Sequence, residues 1–143
     1  MKGFFIYIIM CIGLIACDVE FSDNGDLDGF WQLSQVDTIQ TGKMGDFRDK
    51  GLTWAFQGKI LEVRDVQKVH QDIILSFSHT DHTLRVYSPY LVDRENDDLR
   101  IEDQELLKPY GISMPEESFA IKELKSDKMI LESGMFRLYF LKY

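Results

Sequence analysis

From Leu27 onward apolar side chains recur at every second position. This alternation constrains the fold more than any other feature, because only a β-strand places residues i and i+2 on one face. Trp31 and Leu33 share a face within Phe30-Trp31-Gln32-Leu33-Ser34. Leu52, Trp54 and Phe56 alternate with Thr53, Ala55 and Gln57, and Leu61 and Val63 with Glu62 and Arg64. Ile73, Leu75 and Phe77 alternate with Asp72, Ser76 and Ser78, Ile74 breaking the polar side, and Leu84 and Val86 alternate with Arg85 and Tyr87. Phe119 and Ile121, then Met129 and Leu131, then Phe136, Leu138 and Phe140 repeat the pattern.

Turn residues separate these runs. Thr80-Asp81-His82, Ser126-Asp127 and Ser133-Gly134 read as short hairpin loops, and Gly58, inside a strand-like stretch, as a bulge or bend. Eight or nine short strands joined mainly by hairpins predict an all-β, antiparallel up-and-down meander. Closing it into a barrel of about eight strands removes the exposed edges. A two-sheet sandwich needs more long crossovers than these turns allow. Two longer connections remain. Ile39 to Gly51, with Gly42 and Gly45, reads as a flexible loop near one barrel mouth. Asp103 to Tyr110 predicts one short helix with Leu106 and Leu107 inward, stopped by Pro109.

Residues 1–16 are of another kind. Lys2 precedes an apolar run from Phe4 to Leu14, with Gly3 and Gly13 at its edges. This is the pattern of a secretory signal, and it is too short to span a bilayer. Leu14-Ile15-Ala16-Cys17 follows and resembles the lipobox of bacterial lipoproteins. The resemblance implies a diacylglyceryl group on the Cys17 thiol, cleavage before Cys17 by signal peptidase II, and acylation of the new amino group. Residues 17–26, with Asp18, Glu20, Asp23 and Asp26, read as an acidic, flexible tether, which leaves 27–143 as one barrel domain. Acidic residues just after the cysteine also resemble the surface-export signal of Bacteroidetes lipoproteins. In enterobacterial sorting, however, Asp18 directly after the cysteine means inner-membrane retention. The two rules conflict. The expected address is the cell envelope, lipid-anchored in the outer membrane, with its facing set by the host.

Cleavage leaves 127 of the 143 residues, enough for one core. Cys11 departs with the signal and Cys17 is consumed by lipid, so no thiol is left for a disulfide, metal site or nucleophile. Fifteen basic side chains face 24 acidic ones, a net charge of −9. Nucleic acid, which is bound by basic groups on phosphates, is excluded as a partner. The expected membrane link is covalent lipid rather than a basic patch.

At Leu27-Asp28-Gly29-Phe30-Trp31-Gln32-Leu33 the chain resembles the short Gly-x-Trp motif that opens lipocalins and other calycins. The resemblance implies that Gly29 permits close chain approach and that Trp31 plugs the closed end of the barrel. It also implies a basic side chain from the last strand across that ring, for which Arg137 is the candidate by cation–π contact. Trp54-Ala55-Phe56-Gln57, Phe77-Ser78-His79, Tyr110-Gly111-Ile112 and Phe136-Arg137-Leu138-Tyr139-Phe140 extend the likeness over Leu27–Tyr143. Together with the lipobox and acidic tether they resemble the lipocalin-like lipoproteins of Bacteroidetes, a largely uncharacterised family. That likeness implies a calycin-like fold and an envelope location, with no ligand and no catalytic residues.

His70, His79 and His82 invite a metal hypothesis. A zinc site needs three or four converging ligands, whereas His79-Thr80-Asp81-His82 reads as a polar turn and His70 lies about 30 Å away at strand rise. No metal or cofactor is expected. Asp93, Glu95, Asp97 and Asp98, and then Glu102, Asp103 and Glu105, read as solvated acidic loops. They lack the ordered spacing of a calcium loop, and no serine elbow or phosphate-cradling loop occurs. Trp54, Phe56, Phe77, Tyr87, Phe119, Phe136 and Phe140 either line a cavity or fill the barrel. The leading expectation is a non-enzymatic, lipid-anchored envelope barrel that binds a small apolar molecule at its open end. The alternative is a protein-interaction module accessory to an envelope complex, with Ile74, Tyr87 and Ile130 as an outward patch.

Overall fold

The computed structural model describes residues 24–92 and 99–143. The signal segment, Cys17, the start of the tether, and Asp93, Glu95, Asp97 and Asp98 lie outside the described residues. The alternation becomes ten strands: β1 (Gly29–Thr38), β2 (Met44–Asp46), β3 (Leu52–Gln57), β4 (Ile60–Asp65), β5 (Ile73–His79), β6 (Thr83–Leu91), β7 (Leu99–Arg100), β8 (Glu117–Leu124), β9 (Lys128–Glu132) and β10 (Phe136–Lys142). Eight of them form a closed antiparallel barrel in the order β1-β3-β4-β5-β6-β8-β9-β10, and β10 pairs back onto β1. The two short extra strands lie off the ring: β2 on the far half of β1 and β7 on the far half of β6.

The inward positions are those the alternation marked. Trp31, Leu33, Trp54, Leu61, Val63, Leu75, Leu84, Val86, Phe119, Met129, Leu131 and Leu138 are wholly buried. Three bulges bend the strands, between Leu33 and Gln35, Ile74 and Ser76, and Ile121 and Glu123. Gly58 is not one of them. With Lys59 it forms the two-residue turn joining β3 to β4, where its φ of +62° suits glycine. The Ile39–Gly51 stretch is also more ordered than expected, because β2 forms inside it and Phe47 donates its backbone N–H to Ser34.

One end of the barrel is sealed around Trp31. Its indole N–H donates to the Leu27 carbonyl at 2.8 Å, so the one polar atom of a wholly buried ring is satisfied. The cation over its face is Lys142, with Nζ at 4.8 Å, and not Arg137. Strand parity explains the correction. Trp31 sits directly opposite Lys142 in the β1–β10 register, while Arg137 sits opposite Asp37 and points outward, where it pairs with Glu132. Lys142 also donates to the Asp26 carbonyl at 2.9 Å. Gly29 has a φ of +118°, and a Cβ there would stand 2.8 Å from Lys142 Cε, so a side chain would collide with the cation that covers Trp31.

Trp31→Ala is expected to lower the unfolding free energy by about 3–5 kcal/mol, the usual loss for a deleted core aromatic. Urea denaturation followed by fluorescence measures it.

Candidate functional site

The end opposite Trp31 is where a barrel of this kind would open, and a non-strand segment covers it. On one edge β6 pairs with β8 only over Thr83–Val86. Beyond Val86 the strand passes Ser88, with a φ of +51°, and Pro89, which has no N–H for a ladder. On the upper half of β6 the place of β8 is taken by the two residues of β7, which pair with Tyr90 and Leu91. Residues 101–113 enter there. The Ile101 N–H donates to the Pro89 carbonyl at 2.9 Å. Two consecutive 3₁₀ turns follow, Gln104–Leu106 and Lys108–Tyr110. They make up the short helical stretch expected over Asp103–Tyr110, as two 3₁₀ turns, and Pro109 lies in the first turn of the second instead of ending the stretch. Leu107, Tyr110 and Ile112 are wholly buried, whereas Leu106 points outward and is 37% exposed.

Two hydrogen bonds tie the middle of this cap to the barrel. The Trp54 indole N–H donates to the Tyr110 carbonyl at 3.1 Å, and the Tyr110 hydroxyl donates to the Gln71 carbonyl at 2.7 Å. Gly111, with a φ of +85°, ends the second turn and presses on Leu138, where an added Cβ would lie 2.6 Å from Cδ2. Beyond it Ser113 donates both its N–H and its hydroxyl to the buried carboxylate of Glu117, which fixes the return into β8.

Beneath the cap the barrel is packed with rings. Trp54 meets Phe140 edge-on at 4.9 Å between centroids and Phe119 at 5.9 Å, and Phe56 meets Phe77 at 5.0 Å. Of the seven aromatics expected to line a cavity or fill the barrel, Trp54, Phe56, Phe77, Phe119 and Phe140 are inside and touch one another or the core. Phe136 is half-buried at the core's edge. Tyr87 does not face the interior. It shares the outward face of β6 with Arg85, whose guanidinium lies 4.2 Å from its ring, because the alternation places it with Arg85 and not with Val86. The expectation of an open end is therefore corrected: side chains of the chain itself occupy both that end and the space below it.

A groove of about 730 Å³ lies outside the barrel, on β1, β3 and β4, bounded by Phe30, Ala55, Ile60, Glu62 and Arg64. A second depression of about 440 Å³ continues it past Arg64 to Val66, Lys68 and Tyr143. The alternation failed as a guide to this face, because Phe30, Ala55 and Ile60 are apolar residues at outward positions. Ile74, Tyr87 and Ile130, the patch expected for a protein partner, are half-buried on β5, β6 and β9.

The histidines do not converge. His79 Nε2 meets Asn24 Oδ1 at 3.0 Å, His70 lies beside Tyr110 with ring centroids 6.4 Å apart, and His82 is exposed in its turn. Among the described residues no group of three or more His, Cys, Asp or Glu side chains is placed to hold a metal ion. No described helix is long and apolar enough to cross a membrane. The Asp65 carboxylate is buried and accepts three backbone N–H groups, from Gln67, Val69 and His70, which shapes the β4–β5 loop that receives the Tyr110 hydroxyl.

Comparison with known proteins places this architecture. A family model for a lipocalin-like domain matches residues 10–143. No curated protein matches the chain. Among solved structures, a lipocalin-like protein from Bacteroides uniformis superposes with a TM-score of 0.62 at 18% identity, covering 83% of this chain and all of that one. An uncharacterized protein from Bacteroides eggerthii superposes with a TM-score of 0.61 at 18% identity, covering 82% of this chain and 99% of that one.

Burial, and after it the Asp72 and Asp65 carboxylates, pushes the Tyr110 phenol well above its ordinary value, which keeps it a neutral donor. An unfolded tyrosine ionises near pH ~10, so stability owed to this group is intact below that pH. It falls above it by up to about 1.4 kcal/mol per pH unit, since only the unfolded chain then releases the proton. Urea unfolding at pH ~8 and pH ~11 is expected to show a larger drop for the natural protein than for Tyr110→Phe.

Proposed function

The chain belongs to the lipocalin-like domain family, and from that premise we propose that it is a non-catalytic, lipid-anchored protein of the outer membrane that binds a small apolar molecule under its cap. A lipocalin-like barrel is an architecture compatible with small-ligand binding. The observation that carries the reading is the cap itself. Leu107, Tyr110 and Ile112 fill the end of the barrel from a segment outside the strand ladder, tied at its middle by one hydrogen bond from Trp54 and one to Gln71. Such a segment opens at lower free energy than the strands it covers. Its withdrawal leaves a site walled by Trp54, Phe119, Leu138 and Phe140. Hydrocarbon walls of this kind recognise apolar area and shape and offer no group for proton transfer, which supports the non-catalytic reading. The lipobox at Leu14–Cys17 supports the anchor.

If binding requires the cap to open, apparent affinity is divided by the fraction of molecules that are open. Tyr110→Phe removes the hydroxyl bond to Gln71, worth about 1 kcal/mol, and so is expected to tighten binding of N-phenyl-1-naphthylamine about fivefold. Fluorescence titration of the full chain measures this. Equal affinity in both proteins, or no saturable binding to either, would overturn the reading. For the anchor, radiolabelled palmitate is expected to enter the protein in its host and to be absent from Cys17→Ser.

A further inference from the structure

We infer that the outer groove on β1, β3 and β4 is the face that rests on the bilayer, its apolar side chains seated in the uncharged interfacial region of the lipid. The inference rests on the reading that Cys17 carries lipid, and it is independent of what the barrel binds.

Three observations converge. The first is composition. On one face of three neighbouring strands Phe30 is 58% exposed and Ile60 45%, and Val66 and Tyr143 extend the patch at 65% and 68%. Phe30 sits opposite Ala55 in the register, and the small alanine between Phe30 and Ile60 makes the floor of the groove. Such a patch on an isolated domain marks an interaction surface. The far side of the barrel is different, since there Arg137 and Lys122 both pair with Glu132 across β8, β9 and β10.

The second is where the chain enters. Asn24 donates to the Gly58 carbonyl at 2.8 Å and to Asp28 at 2.7 Å, beside Asp28, Gly29 and Gln57 at the groove's mouth. Asn24 follows Cys17 by seven residues, so this end of the barrel stays within ~25 Å of a lipidated Cys17 even with the chain fully extended. The third is charge. Arg64 at the groove's rim is paired with Glu62 at 2.8 Å and lies 3.5 Å from Asp72, which Lys68 approaches at 3.6 Å. The Arg64 side of the rim is thus neutralised from within, and with Asp28 at the mouth the groove carries no surplus of positive charge. Exposed aromatic and aliphatic side chains with paired charges suit the membrane interface, whereas a cluster of anionic headgroups would need unpaired cations.

A cysteine placed at position 60 would be the one free thiol of the lipidated protein. The test uses full-chain protein purified with its lipid and reconstituted in phosphatidylcholine vesicles, with a nitroxide on Ile60→Cys or, on the far side, on Ala120→Cys. The expected result is a several-fold higher ratio of oxygen to nickel-complex collisions at position 60 than at 120, unchanged when phosphatidylglycerol is added. Intact mass reports the lipid independently. Lipid present with both labels equally open to the nickel complex overturns this inference and leaves the anchor standing. No lipid mass overturns both. A label at 60 shielded from both reagents, and only in host membranes, assigns the face to a protein partner and overturns the inference as well.

Discussion

The barrel depends on the pairing of β1 with β10. Without that seam the sheet would have two open edges, and the aromatic rings on its inner face would be wet. β1 can close the ring because both its edges are paired: β10 runs along Trp31–Thr38 on one, while β3 and β2 share the other. The same register sets Lys142 opposite Trp31. One strand pair thus closes the sheet, caps the indole face with a cation and ties Asp26 to the last strand. Glycine suits this point because its φ of +118° strains any other residue, and a Cβ there would displace the end of Lys142.

The far end is governed by a shortage of pairing. β6 reaches past β8, and beyond Ser88 and Pro89 its partner on that side is the two-residue β7. The gap admits residues 101–113, which bring hydrocarbon to the barrel end in 3₁₀ turns and satisfy the buried Trp54 indole with a backbone carbonyl. The cap and the barrel wall are therefore bound by few directional contacts and much apolar area. Such a junction can be rearranged without breaking the strand ladder.

Much of the fold was legible in the residues. Period two marked the inward rings, and hairpin turns implied a meander. Gly29-x-Trp31 pointed to a sealed base. The errors have particular causes. Likeness alone sets Arg137 over Trp31, whereas the parity of Phe136, Leu138 and Phe140 carries Lys142 inward. Tyr87 alternates with Val86, and so its ring faces outward and not into the aromatic interior. Leu106 and Leu107 are both expected inward, but adjacent positions in a short 3₁₀ turn cannot both face the core, and Leu106 turns outward. Gly58 suits a bulge and a tight turn equally, and only its partners across β3 and β4 decide between them.

The sequence by itself determined the class of fold and the inner face of nearly every strand, because both are written in local periodicity. Tertiary structure alone decided that the barrel's mouth is filled by Leu107, Tyr110 and Ile112, and that Phe30, Ala55 and Ile60 share one outer groove. Both are meetings of segments distant in the chain. They are set by register, bulges and the place where a ladder stops, none of which leaves a periodic trace in the residues.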